Sequence, residues 1–157
     1  METSNRYENY PIGTVMLSNL VSWAIYGLGF YLMYGLGLVF ALLYLLYILI
    51  LEFRLIRYHC TNCYYWGKTC GFGKGRISSL LFKKGDASKF CSRSITWKAM
   101  IPDILVALVP MTVGIILVIV KFNFIQLSAL LLLILLATTG SGYIRGKLTC
   151  SFCKQRE

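Results

Sequence analysis

Two pairs of cysteines repeat one spacing in this chain, Cys60-Thr-Asn-Cys63 and Cys150-Ser-Phe-Cys153. A C-x-x-C turn presents two sulfurs from one tight bend, and two such turns brought together supply a tetrahedral tetrathiolate site. The expected ligands are Cys60, Cys63, Cys150 and Cys153, and the expected metal is Zn2+ in a structural role. The pairs are far apart in sequence, so this is no local finger, and the fold has to bring them together. Arg57, Lys68, Lys147 and Lys154 lie close to the pairs in sequence, and their charge favours thiolates and offsets that of a tetrathiolate. Cys70, Cys91 and the single histidine, His59, are candidates for additional ligands or, in the case of the cysteines, a redox pair.

Other chemistries compete for the same residues. An iron–sulfur cluster also takes four cysteines. Cys60, Cys63 and Cys70 would give three ligands, with Cys91 or the tail pair completing the set. Thiol–disulfide exchange at one C-x-x-C pair is the non-metal alternative. Four-helix, quinone-linked disulfide-forming enzymes of the membrane share the helix count deduced below, but their working cysteines belong on the oxidising, outer side. A phosphate loop fails: Gly67-Lys68-Thr69 needs glycine where Asn62 stands, and Gly75 occupies the Ser/Thr position after Gly73-Lys74. The glycines at 67, 71, 73 and 75 more simply let the chain turn around a metal knuckle. Tyr64, Tyr65 and Trp66 read as an interfacial anchor. No acid–base pair or nucleophile–base arrangement is visible, so no enzyme class is supported.

The elements that must position these cysteines are apolar helices. Of 157 residues, 57% are hydrophobic, and the mean hydropathy is +0.66, more apolar surface than a soluble domain of this size can hide. No charge occurs from Ile12 to Leu51, from Ile104 to Val120, or from Phe122 to Ile144. A crossing needs about 20 apolar residues. The expectation is one all-α membrane domain, a four-helix bundle made of two hairpins. Its crossings fall near 12–30, 35–53, 101–120 and 124–144, with a basic Cys-rich segment at 54–100 and a Cys-rich tail at 145–157. The opening METSNRYENYPIG lacks the basic n-region of a signal peptide, so the first helix should stay as an anchor. YGLG occurs twice, at Tyr26–Gly29 and Tyr34–Gly37. It offers glycine either for the turn between the first two crossings or for close helix packing, the latter at least as well at the second copy.

Charge sets the orientation. The middle segment holds ten basic residues against Glu52 and Asp86, the tail four against Glu157, and the opposite side shows only Lys121. The positive-inside rule then puts both termini and all six cysteines in the cytoplasm of a multi-pass inner (cell) membrane protein. Reducing conditions there favour metal over disulfide. The net charge of +10 is accounted for by topology, without nucleic acid. It also attracts anionic lipid headgroups. Arg76–Asp86 carries Ile77, Leu80 and Leu81 on one helical face, with Arg76, Lys83 and Lys84 as lipid-facing basic residues at the ends, and reads as a short interfacial helix. Polar residues within the crossings suit helix packing, and Pro110 should kink the third. With no ionisable residue at mid-membrane, a transporter is the weaker alternative.

With Cys60-x-x-Cys63-Tyr-Tyr-x-Gly-Lys-x-Cys70, Phe82-Lys-Lys-Gly-Asp and the closing Cys150-x-x-Cys153-Lys-Gln-Arg-Glu, the chain resembles small uncharacterised Cys-rich membrane proteins of archaea and other anaerobes. The resemblance implies a four-crossing architecture with a cysteine-rich cytoplasmic face and names no activity. Similar sequences should continue past Glu157, with another cysteine soon after. The functional expectation is a small structural or accessory membrane subunit. Its basic platform would face lipid, a membrane-complex partner or a second copy of the chain.

Overall fold

The computed structural model describes residues 6–86 and 97–154 and is helical throughout, with no strand among the described residues. Helix α1 spans Ile12–Tyr34, α2 Leu38–Tyr58, α3 Lys74–Leu81, α4 Trp97–Val120 and α5 Phe124–Leu135. The last helix continues with widened π turns at Leu136–Gly140 and Ile144–Thr149. Helices α1, α2, α4 and the α5 continuation are long and apolar enough to cross a membrane, and less than a third of each apolar window is buried within the protein. Leu42, Leu43, Leu46, Ile116, Ile119 and Leu131 are among the many large apolar side chains facing outward. Such a surface suits lipid, the solvent of a multi-pass membrane protein.

The chain divides into two compact units. One comprises Val21–Leu51 and Ile95–Ser141, and the other Met1–Leu20, Glu52–Ser94 and Gly142–Glu157. The first unit holds the apolar core. Met33, Ala41, Tyr44, Ile48, Leu51 and Val106 form one cluster, and Ile25, Leu32, Ala129, Leu130 and Leu133 another. Pro110 lies inside α4, where it removes the N–H that would pair with the Val106 carbonyl. The buried Tyr44 hydroxyl donates to that carbonyl at 2.8 Å instead. Asn123 caps α5, its side chain accepting from Ile125 N–H at 3.0 Å.

Both YGLG copies supply close packing, and the second also makes the turn: a Cβ at Gly35 would collide with the Leu117 side chain. Helix α1 runs on to Tyr34, so the first copy lies within the helix. A Cβ at Gly29 would collide with the Tyr44 ring, so this glycine serves close packing. The second copy makes the turn, with Gly37 at φ 140°, a backbone region closed to ordinary side chains.

Candidate metal centre

Every described cysteine falls in the unit built from the N-terminal residues, the segment after α2 and the tail. Cys91 lies outside the described residues. The two C-x-x-C pairs adopt nearly the same turn. Each begins a 3-10 turn, at Cys60–Asn62 and Cys150–Phe152, where a helix ends. The preceding residues, His59 and Thr149, have φ/ψ of −107°/−51° and −113°/−59°. The closing cysteines are extended, with φ/ψ of −85°/149° at Cys63 and −82°/121° at Cys153. In each, the second cysteine's N–H donates to the first cysteine's carbonyl at 3.4 Å. A threonine at each helix end turns its hydroxyl back onto that helix: Thr61 to the Arg57 carbonyl at 2.7 Å, and Thr149 to those of Ile144 and Arg145 at 3.0 and 3.3 Å. The helices therefore continue up to the knuckles, and the first cysteine of each pair follows directly on the last helical turns.

Tyrosines join the two knuckles. Tyr65, two residues past Cys63, is only 2% exposed. Its hydroxyl donates to the Tyr7 carbonyl at 2.7 Å and accepts from the Lys154 N–H at 3.1 Å, so it holds the residue after Cys153. Its ring packs on Tyr10, with centroids 5.5 Å apart. The Tyr10 hydroxyl donates to the Thr149 carbonyl at 2.5 Å, and its N–H to the Thr69 carbonyl at 2.9 Å. Burial holds the Tyr10 phenol above its ordinary range, so it remains a donor. Lys154 also pairs with Glu8 at 3.0 Å. Tyr65 is therefore a buried junction of three chain segments, not the interfacial anchor its aromatic neighbours suggested. Trp66 is half-buried, its indole N–H reaching the Phe82 carbonyl at 3.3 Å.

The thiols show which sulfurs are neighbours. The Cys60 thiol is pushed up to about 12, by burial first and then by Cys70 and Cys63, with Lys74 pulling the other way. Lys74 is itself ion-paired to Glu52 at 2.5 Å. Burial also raises Cys63. The backbone N–H of Tyr65 opposes this, Cys153 and Cys70 add to it, and the N–H of Tyr64 again opposes it. Cys70 Sγ accepts from the Gly75 N–H at 3.4 Å. Cys70 comes into range because its loop doubles back, Gly67 N–H donating to the Gly75 carbonyl at 3.1 Å. A Cβ at Gly75 would strike the Tyr65 and Lys68 carbonyls, so this close approach needs glycine.

Cys70 and Cys63 act on Cys60, and Cys153 and Cys70 on Cys63. Cys150 is exposed and, with Cys153, acts on the Tyr10 hydroxyl. His59 is exposed on the turn before Cys60. Among the described residues, no three His, Cys, Asp or Glu side chains are gathered into a group that could hold a metal ion. The described cysteines share one compact unit without a formed coordination sphere. Comparison of the chain with protein-family models, with curated proteins and with solved structures returns no match.

Proposed function

We propose that this is a multi-pass membrane protein of structural or accessory role, in which a thiolate-bound metal, Zn2+ by preference, fastens the segment after α2 to the tail. The ligands are Cys60, Cys63, Cys70 and Cys153, with Cys70 replacing Cys150 in the set that spacing alone suggested. The observation that carries this is the pair of matching C-x-x-C turns within one compact unit, tied together through the Tyr10 and Tyr65 hydroxyls. Backbone N–H groups facing Cys63 and Cys70 are the donors a bound thiolate requires. Closing the sphere asks for side-chain rotation about knuckles whose backbones are already turned. The raised Cys60 thiol disfavours disulfide exchange started from that sulfur, which needs a thiolate at neutral pH. The excess of basic residues after α2 and in the tail supports an orientation with both termini in the cytoplasm.

The test is metal analysis of protein purified without chelator. About one zinc per chain is expected, lost in Cys70→Ser and kept in Cys150→Ser. Metal well below that level, with all thiols freely titrating, overturns the proposal. Iron with sulfur-to-iron charge-transfer bands would replace it with an electron-transfer role.

A further inference from the structure

Helix α3 turns its small residues inward and its large ones outward. Gly75 and Ser78 are buried, while Ile77, Leu80 and Leu81 are exposed, Leu80 at 85%. Those three stand at i, i+3 and i+4, on one face of the helix. Beside them lies a groove of about 420 Å3 lined by Trp66, Leu80, Leu81, Phe82, Lys83 and Lys84. Both lysines are exposed, as is Arg76 at the other end of the helix. Phe82 packs edge-on to Phe53, centroids 5.5 Å apart. Phe53 sits between Glu52 and Arg54, where the uncharged run of α2 gives way to charge. The groove is thereby tied to the point at which the chain passes from hydrocarbon to headgroup chemistry.

We propose that this groove is a binding site for an anionic phospholipid, with the phosphate on Lys83 and Lys84 and the first acyl carbons on Leu80, Leu81 and Trp66. Charge complementarity selects the occupant. The groove joins apolar walls to two adjacent ammonium groups, and a bilayer offers both halves of that ligand in one molecule. A zwitterionic lipid would satisfy the walls but set its own ammonium group near the lysines. Trp66 is held in place by its bond to the Phe82 carbonyl, so the wall is preformed.

The full chain carrying Trp23→Phe and Trp97→Phe keeps Trp66 as its one tryptophan. Reconstituted in nanodiscs, its fluorescence should be quenched more by phosphatidylglycerol with brominated acyl chains than by brominated phosphatidylcholine at the same mole fraction. The preference should be roughly fivefold per lysine. Lys83→Gln with Lys84→Gln should abolish it while the helical circular dichroism stays intact. Leu80→Ser should weaken quenching by both lipids. Equal quenching by the two lipids, or a preference that survives loss of both lysines, overturns the proposal. So does removal of the preference by millimolar inorganic phosphate at constant ionic strength, which would make the ligand a soluble anion.

Discussion

Tyr65→Phe isolates the junction between the tail and the segment after α2. The ring stays, so the packing against Tyr10 and Tyr64 is kept. Only the hydroxyl is lost, and with it the bonds to the Tyr7 carbonyl and the Lys154 N–H. Each bond is worth about 1 kcal/mol net, and only the one to Lys154 N–H is broken when the tail detaches. Its loss raises the population with the tail detached by roughly fivefold. The readout is the alkylation rate of Cys153, followed by peptide mass spectrometry on chelator-treated protein so that metal does not mask the thiol. Cys153 should react roughly fivefold faster in the variant. Tyr64→Phe is the control, because its hydroxyl contacts Lys68 Nζ at 3.2 Å in an exposed position. If Tyr65→Phe behaves like Tyr64→Phe, the tail is not held through Tyr65 and the junction argument fails.

Gly29→Ala should destabilise the detergent-solubilised protein by about 1–3 kcal/mol in thermal unfolding, since its Cβ meets the Tyr44 ring. Gly27→Ala, with open space at its Cβ, should not. The Cys60 thiol gives a pH dependence with a defined sign. Its folded value is raised, to about 12 from the ordinary 9.0, so the folded chain favours the neutral thiol. That contribution is fully present below about pH 9 and is lost as pH rises from there towards 12, a loss on the order of 2–4 kcal/mol. Metal-free protein should therefore lose stability across that window, and Cys60→Ser should flatten the loss.

The charge-free runs made the crossing helices legible, because hydrocarbon demands about 20 apolar residues whatever the packing partners. The end of α1 was less so. The two YGLG copies carry the same local signal; neighbours on other helices, Tyr44 at Gly29 and Leu117 at Gly35, make both packing sites, and Gly37 takes the turn. Tyr65 was harder still. Aromatic residues near a basic segment suit an interface, and nothing local distinguishes Tyr65 from the exposed Tyr64 beside it. Its burial follows from Tyr7, Tyr10 and Lys154, all distant in sequence.

The same limit applies to the cysteines. Spacing treats Cys150 and Cys153 as a unit, whereas in the structure Cys150 is exposed and Cys153 half-buried. The glycines around Cys70 carried the missing signal. Gly75 permits the backbone approach that folds the loop back and brings Cys70 towards Cys60 and Cys63. The tail is held by the Tyr10 and Tyr65 hydroxyls and the Lys154–Glu8 pair. A metal at these thiols would tighten a connection that the polar contacts already make. The apolar clusters of the other unit are built by burial of their own side chains, so their packing would not depend on such a metal.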